Sequence, residues 1–375
     1  KVANMVYVSQ PKGVGYSYCE EQPCINTDET SAQDAYDFFL AFFDAFPQYK
    51  EHDFYLTAES YGGIYIPMFM DLIDQKGGIP NFKGAAIGDG CWGNQVGTCA
   101  FSSGKAQEIS VEFLGGHALY SQPTYVEVKE KCGNFTNEDV RGMDCALALR
   151  KMGTEAGNYY TYNVYDTCGS NQALTYEEYK RALSSDTVVV DSDTDSHPHP
   201  QIAQAMMAKQ AQQASSASRK LLAGVGGYPC GASAAASQWI GQTSVQEALH
   251  VKANTAGMTY KKGPMEMSGD LRPLYARLIP KYRMMIYSGD SDACVPYWGT
   301  EEWVRELGFP EKKGWRQWTS PMYEGGEEVR AGYVIDYDVN DFKLVTIQGA
   351  GHMVPQFKPN FALTLFKKFI NNEEF

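Results

Sequence analysis

The decapeptide FYLTAESYGG, residues 54–63, decides how the rest of this sequence is interpreted. Residues 53–58 are predicted to form a short strand, and residues 64–73 a helix. Small residues surround Ser60 between them, as a sharp strand-to-helix turn requires where neighbouring backbone comes close. Such a turn exposes a serine hydroxyl above the sheet edge, although Ala58 replaces the first glycine of the usual Gly-x-Ser-x-Gly pattern. A serine that only caps an ordinary helix is the alternative.

Strand-like and helix-like segments alternate around this turn. Residues 2–8 and 82–87 are predicted to be buried strands. Residues 31–46 carry apolar side chains at helical spacing, with Thr30 or Ser31 able to cap the first turn. This alternation predicts βαβ units, a mainly parallel sheet and therefore an α/β fold.

The middle of the 375-residue chain differs in composition from both ends. We expect residues 1–91 to form the first part of an α/β core and residues 229–375 the second part. Residues 92–228 are then a cap insertion, helical or irregular, and residues 184–218 within it are a low-complexity linker. The length fits one large domain or two ordinary domains.

The composition excludes several classes of protein. Apolar residues at 43% and aromatic residues at 13% are enough for a buried core, so the chain is not wholly disordered. A formal charge of −13 offers no electrostatic footprint for a polyanion, so we expect no nucleic-acid partner. No stretch approaches the ~18 consecutive apolar residues of a membrane helix, so we expect no membrane span. The start at Lys1, without a signal-peptide pattern, indicates a processed or truncated chain.

The nine cysteines bear on the cellular compartment rather than on a metal site. They show no paired CxxC spacing, so we expect no zinc site, and no other metal is expected. Asn134 begins an N-glycosylation triplet, Asn-Phe-Thr. The cysteines, the triplet and the acidic composition together favour an oxidising or endomembrane compartment. Because the count is odd, at least one thiol lacks an intrachain partner.

A serine hydroxyl is a weak nucleophile and needs a base that a third group orients. Among six histidines, His352 is distinctive because it follows a hydrophobic strand and lies on a loop at the strand's carboxyl end. The acid is expected between the serine and the histidine in chain order. A strand at residues 283–287 leads into a loop with two candidates, Asp290 and Asp292. Three loops at strand ends thus carry a serine, an aspartate and a histidine, in that order along the chain. This arrangement favours hydrolase chemistry.

Several segments resemble the sequence blocks of serine carboxypeptidases. Residues 59–67, ESYGGIYIP, are similar to the family's GESYAGxYVP block, and residues 6–18 to its ESPAGVGFSYS block. The family's aspartate and histidine blocks, and a further helical block, correspond to residues 287–296, 346–355 and 244–251. The resemblance runs from Val6 to the C terminus, with the insertion only loosely covered.

The resemblance implies an α/β-hydrolase fold whose first strands are absent from this chain. It also implies a serine-type carboxypeptidase that releases C-terminal amino acids from peptides at acidic pH, through an acyl-enzyme on Ser60. Asp292 rather than Asp290 is then the acid, and His352 the base. The backbone N–H of Tyr61 is an oxyanion donor. No cofactor is implied, and the expected location is a vacuole, a lysosome or the cell exterior.

The family also supplies a role for Glu59. Two ionised carboxylates in contact repel each other, so a protonated glutamic acid is needed to hold the C-terminal carboxylate of a peptide. A hydrogen bond from such an acid favours substrate binding at acidic pH. Judged from the sequence alone, Glu59 is an ordinary solvated acid at the end of a strand.

One family block, similar to WxNGGPGCSS, does not occur in the chain. It carries an oxyanion glycine, a carboxylate-binding asparagine and a cysteine that by resemblance pairs with Cys230. We therefore expect a companion chain or an N-terminal segment to complete the fold, and a homodimer or a larger assembly stays open. Two rival functions remain: transfer of the acyl group to an alcohol, and a catalytically silent relative acting as a stabilising subunit.

Overall fold

The computed structural model of the chain describes residues 2–20, 23–166, 232–251, 258–261, 268–323 and 325–375. The chain separates into two compact units, the larger comprising Lys1–Val164 and Asn254–Phe375 and the smaller Tyr165–Ala253. The predicted linker at 184–218 and Cys230 lie outside the described residues. The predicted domain boundaries after residues 91 and 228 stay predictions.

The larger unit is built on a six-stranded, mainly parallel sheet. The strands of this main sheet are β2 (Phe54–Glu59), β3 (Phe82–Gly88), β5 (Arg283–Gly289), β6 (Glu311–Pro321), β7 (Glu328–Tyr337) and β8 (Lys343–Ile347). Two further strands, β1 (Cys24–Thr27) and β4 (Met258–Lys261), form a separate parallel pair. The order in the main sheet is β2-β3-β5-β8-β7-β6. The first four strands of this order are mutually parallel, and β7 and β6 are antiparallel additions. The predicted α/β class is confirmed.

Helices connect and cover the strands of the larger unit. They are α1 (Asp28–Ala45), α2 (Gly62–Lys76), α3 (Gly104–Gly116), α4 (Gln122–Cys132) and α5 (Met143–Ala156), with α6 (Ala232–Ile240) and α7 (Thr243–Ala248) in the smaller unit, and then α8 (Arg272–Leu278), α9 (Tyr297–Glu306), α10 (Val354–Phe357) and α11 (Pro359–Asn371). None of the described helices is long and apolar enough to cross a membrane.

Helix α1 begins three residues earlier than the sequence predicts. Thr27, rather than Thr30 or Ser31, is the N-cap, and its hydroxyl accepts a hydrogen bond of 3.2 Å from the Thr30 backbone N–H. The Thr30 hydroxyl in turn accepts one of 2.8 Å from the Thr27 N–H. This reciprocal capping box satisfies two backbone donors at once, which neither predicted cap achieves.

The predicted buried strand at residues 2–8 is wrong. These residues form no strand, and Val6 and Tyr7 are 49% and 88% exposed. An apolar run becomes a strand only where a second strand accepts its backbone hydrogen bonds. Within the described part of the chain, residues 2–8 make no backbone–backbone hydrogen bond. They do not pair even with β2, which is an edge strand of the main sheet.

Helices α1 and α2 pack beside the parallel strands over a core rich in aromatic rings. Phe39 of α1 lies edge-on to Phe54 of β2 and Phe69 of α2, with ring centroids 5.5 and 6.2 Å apart. Ile87 of β3 and Ile286 of β5 are almost completely buried in the same cluster. This packing fixes the strands, and therefore the loops that leave their carboxyl ends.

Part of the predicted cap insertion is regularly helical. Helices α3, α4 and α5 enclose a small core of their own, which includes Phe113, Val128 and Met152. A disulfide between Cys132 and Cys145 joins α4 to α5. The described disulfides also include Cys19–Cys24 and Cys91–Cys99, while Cys294 is a free thiol.

Gly63 in the first turn of α2 is a packing requirement that can be tested. A Cβ at this position would overlap the backbone oxygen and nitrogen of Cys91, so Gly63→Ala must displace the backbone. We expect it to lower the free energy of unfolding by about 1–3 kcal/mol, measured by urea denaturation. Gly153→Ala in α5 is the matched control, because its Cβ would meet no atom within 4 Å. That variant should gain up to about 1 kcal/mol, and an equal loss in both would contradict the packing argument.

Candidate active site

Four parallel strands end at one edge of the main sheet, and each leads into a loop that carries an ionisable or nucleophilic group. Ser60 follows β2, Asp89 follows β3, Asp292 follows β5 and His352 follows β8. The strands lie in the order β2-β3-β5-β8, so residues distant in sequence meet at this edge. In open α/β sheets, this edge is where ligands bind.

Ser60 occupies a strained turn between β2 and α2. Its φ is +63°, a left-handed conformation that is uncommon for residues other than glycine. Its N–H donates a 3.0 Å hydrogen bond to the Gly88 carbonyl at the end of β3. Its own carbonyl accepts from the N–H groups of Gly63 and Cys91, at 3.0 and 2.9 Å. The neighbouring strand and loop therefore hold the strained backbone in place, as is common at functional sites.

The small residues around Ser60 are a steric requirement of this turn. A Cβ on Gly62 would overlap the Ala58 methyl group. The alanine at the position where the motif usually has its first glycine therefore fits because Gly62 has no side chain. The departure from the usual pattern leaves the turn intact.

The loops after β5 and β8 bring an acid and an imidazole together. His352 Nδ1 lies 2.7 Å from Asp292 Oδ2, and both residues are buried. The Asp292 carboxylate also accepts hydrogen bonds from the backbone N–H groups of Cys294 and Val295, at 2.8 and 3.1 Å. Two backbone N–H groups and the imidazole thus hold the Asp292 carboxylate in place. When Nδ1 donates its proton in a hydrogen bond to the carboxylate, Nε2 carries the lone pair that can accept a proton.

The other candidate acid of this loop bonds elsewhere. Asp290 Oδ1 accepts a 2.7 Å hydrogen bond from the Gly349 N–H and a 2.9 Å bond from the Ser291 hydroxyl. The bond from Gly349 joins the loop after β5 to the loop after β8, and the bond from Ser291 lies within the loop after β5. Asp290 therefore braces the two loops, while Asp292 contacts the imidazole.

Ser60 lies at the same edge of the sheet as this pair. In the described residues, no hydrogen bond joins the Ser60 hydroxyl to His352. The structure therefore brings Asp292 and His352 into contact and places Ser60 at the same edge of the sheet. Catalytic hydrogen bonds are often long in proteins without bound substrate and tighten in the complex.

A short segment from the insertion holds both loops, and the sequence analysis missed it. In this strap, residues 160–164, the Tyr162 carbonyl accepts a 2.7 Å hydrogen bond from the His352 N–H. The Val164 N–H donates to the Ser291 carbonyl at 3.0 Å, and the Thr161 carbonyl accepts from Ala293 at 2.9 Å. The aromatic composition of the segment is the only signal in the sequence.

Tyr162 also contacts the imidazole directly. Its ring stacks on the His352 ring, with centroids 4.8 Å apart and planes inclined by 22°. The strap therefore sets both the backbone position and the ring orientation of the histidine.

Glu59, the last residue of β2, is half-buried beside the pair. Burial raises its pKa to about 7, with the charge of His352 lowering the pKa and that of Asp292 raising it. Below neutral pH the side chain is then mostly a neutral acid that can donate a hydrogen bond. Such a donor at the edge of the site suits an anionic ligand.

Tyr61 begins the turn of backbone that leads into α2. It is the N-cap of this helix, so its backbone N–H lies at the positive end of the helix dipole. Its hydroxyl donates a 3.0 Å hydrogen bond to Asp28, a buried residue of α1 that also accepts from Ser268. The side chain is thereby anchored, and the role of the N–H as an oxyanion donor stays a prediction.

The structure also describes the glycosylation triplet at Asn134 and the free thiol of Cys294. Asn134 and Thr136 are exposed after α4, which is compatible with the glycosylation prediction but does not test it. Cys294 is half-buried, and burial raises the pKa of its thiol to about 12, so it stays protonated at neutral pH. Among the residues that the structure describes, no cluster of His, Cys, Asp or Glu side chains could hold a metal ion.

Comparisons with known proteins agree with this architecture. The sequence model of the family described as serine carboxypeptidase matches residues 1–372. Serine carboxypeptidase-like 20 of Arabidopsis thaliana is 29% identical over 100% of this chain and 75% of its own length. The lysosomal protective protein of Mus musculus is 28% identical over 100% of this chain and 76% of its own length.

A solved structure has the same fold. The prohormone-processing carboxypeptidase from Saccharomyces cerevisiae superimposes with a TM-score of 0.61 at 16% identity, over 98% of this chain and 73% of that chain. The α/β-hydrolase fold implied by the sequence resemblance is confirmed. Because the family match extends over nearly the whole chain, the chain belongs to the serine carboxypeptidase family.

Proposed function

We propose that the protein removes C-terminal amino acids from peptides, using Ser60 as nucleophile, His352 as base and Asp292 as the orienting acid. The observation that carries this assignment is the buried 2.7 Å contact between Asp292 and His352, at the same sheet edge as the left-handed Ser60 turn. An acid–base pair and a strained serine at one edge of the sheet support nucleophilic attack by the serine hydroxyl on an acyl group.

The reaction proceeds through an acyl-enzyme. His352 Nε2 takes the Ser60 hydroxyl proton while Oγ attacks the scissile carbonyl carbon, and Asp292 stabilises the imidazolium that forms. The Tyr61 N–H stabilises the oxyanion. The imidazolium then protonates the leaving amine, so the C-terminal amino acid departs and an ester remains on Ser60. Water attacks this ester with His352 again as base, which releases the shortened peptide.

Glu59 accounts for selection of the peptide's C terminus. As a neutral acid it donates a hydrogen bond to the terminal carboxylate, whereas an ionised Glu59 would repel that group. Since burial raises the Glu59 pKa to about 7, the donor is present at acidic pH and is lost as the pH rises through neutrality. The chemistry therefore favours an acidic compartment.

A vacuolar, lysosomal or secreted location is the corresponding part of the proposal. The three described disulfides form and persist in oxidising compartments. The relative from Mus musculus bears a lysosomal name. Asn134 and Thr136 of the glycosylation triplet are exposed, which is compatible with passage through the secretory route.

We also propose that an extended strand, from a companion chain or an N-terminal segment, pairs with the edge of β2 that no described strand occupies. A cavity of about 1180 Å³ lies between residues 2–12 and β2, and Phe38, Phe42 and Tyr65 contribute to its apolar wall. An exposed apolar edge is a ready template for a further strand. An added strand would also form hydrogen bonds with backbone groups of β2 and of residues 2–12, on the two sides of the cavity.

Substitution of the three groups tests the assignment. Ser60→Ala should lower kcat by on the order of 10⁶, and Asp292→Asn by about 10⁴, because each removes a member of a unit. Release of the free amino acid from an N-blocked dipeptide gives the rate, and a fluorophosphonate probe gives labelling of Ser60. Asp290→Asn is the matched control, since the asparagine still accepts from Gly349, and its loss should be far smaller.

The same assay separates the rival functions. If the complete native protein transfers an acyl group from an acyl-glucose but releases no amino acid, the acyltransferase interpretation replaces this one. If the probe fails to label Ser60 in that protein, the chain is a silent relative and the proposed chemistry is wrong.

Glu59→Gln tests recognition of the substrate carboxylate. The wild-type KM for a free-acid dipeptide should rise above about pH 7, because Glu59 ionises there. Glutamine donates a hydrogen bond at every pH, so KM of the variant should lose this dependence. The matching dipeptide amide serves as control, because it carries no terminal charge to repel. Retention of the full pH dependence of KM in the variant would contradict the assignment.

Hydrogen exchange tests the added strand. The backbone amides of β2 should exchange more slowly in a longer form of the protein, or after addition of the companion chain, than in residues 1–375 alone. The two additions identify the source of the strand. Amides of β3, which is already paired on both sides, are the control and should change little. Equal exchange of β2 in all three samples would refute the proposal.

A further inference from the structure

Asp89, which the proposed reaction does not use, is a completely buried acid at the active edge of the sheet. It follows β3 directly, with a left-handed φ of +43°. Its backbone N–H donates a 2.8 Å hydrogen bond to the Tyr287 carbonyl. Its Oδ1 accepts from the Ser288 hydroxyl at 2.8 Å and from the Gly289 N–H at 2.9 Å. Three hydrogen bonds thus tie the residue after β3 to the last three residues of β5.

The position of this tie matters because Asp292 lies only three residues after Gly289. The path of the loop after β5 starts from the backbone that Asp89 holds. A displacement of the strand end would move the Asp292 carboxylate relative to His352, and these atoms are now only 2.7 Å apart. Small errors of position in such a site are costly, up to about 100-fold in rate for ~1 Å.

The second carboxyl oxygen of Asp89 is buried and has no hydrogen-bond partner among the described residues. The charges of Asp292 and Glu59, which are both acids, act on Asp89. A bare carboxylate in this position would be desolvated and repelled from two sides. Burial first, and then Asp292 and Glu59, raise the pKa of Asp89 well above its ordinary range.

We propose that Asp89 is a positioning residue for Asp292: a neutral carboxylic acid that fastens the end of β5 to the end of β3 without placing a second negative charge beside the Asp292–His352 pair. The inference rests on the proposed function of that pair. Residue 89 must meet two conditions at once. Its side chain must accept hydrogen bonds from Ser288 and Gly289, and it must carry no charge.

Asp89→Asn separates the acceptor from the charge. Asparagine keeps an oxygen for Ser288 and Gly289, and it is neutral at every pH. The native wild type holds a proton on Asp89 that the unfolded chain releases above about pH 4. The free energy of unfolding of the wild type therefore falls as the pH rises. In the asparagine variant, the slope of this free energy with pH should be smaller by the amount that corresponds to about one proton. Urea unfolding between about pH 5 and about pH 8 measures the slope.

Glu59→Gln is the matched control for the unfolding experiment. Glu59 also titrates at a raised pKa, of about 7, and contributes a fall in the same direction. Each single variant should remove its own share of the slope. If Asp89→Asn leaves the wild-type slope intact, Asp89 is ionised in the native protein and the inference fails, whether or not the protein is an active peptidase.

Kinetics then test the positioning role. Ser288→Ala removes one donor to Asp89 but keeps the acid, so kcat should fall about three- to tenfold while KM stays near the wild-type value. Asp89→Ala removes the acceptor and should lower kcat by up to about 100-fold. Asp89→Asn should retain at least about a third of the wild-type kcat at acidic pH and keep it to a higher pH. A loss in Asp89→Asn as large as in Asp89→Ala would show that the charge is required and overturn the inference.

Discussion

The parallel alignment of β2, β3, β5 and β8 is the constraint on which the rest of this structure depends. Parallel strands direct their carboxyl ends to one edge, so four loops that are far apart in the chain deliver their side chains to one place. The strands are held in register by backbone hydrogen bonds and by a core of closely packed rings and aliphatic side chains. Any change that shifts one strand moves one functional group relative to the others.

The electrostatic design of this edge follows from the concentration of acids there. Glu59, Asp89 and Asp292 lie at the ends of three adjacent strands, in a region where water is largely excluded. Three ionised carboxylates cannot coexist at low cost in such a place. Of the three, Asp292 is the one that contacts the imidazole, and two backbone N–H groups also bond to its carboxylate. The pKa values of the other two acids are both raised, chiefly by burial.

The strap, residues 160–164, connects the insertion to the loops that follow β5 and β8 of the main sheet. Its backbone hydrogen bonds reach the loops that carry Asp292 and His352, and Tyr162 covers one face of the imidazole. Loops at the end of a sheet are otherwise free to move, because few backbone partners are available to them. By bridging two loops, the strap reduces the number of orientations open to the acid–base pair.

The sequence by itself determined the α/β class, the strained turn at Ser60 and the strand-end location of Asp292 and His352. Each of these depends on local signals, namely apolar periodicity, small residues at a tight turn and glycines beside a loop. The tertiary structure alone decided that residues 2–8 form no strand, that Asp89 is a completely buried acid with one unpartnered carboxyl oxygen among the described residues, and that residues 160–164 hold the histidine. These features depend on partners distant in the chain, since both backbone pairing and the desolvation of a carboxyl group are set by what the fold brings alongside.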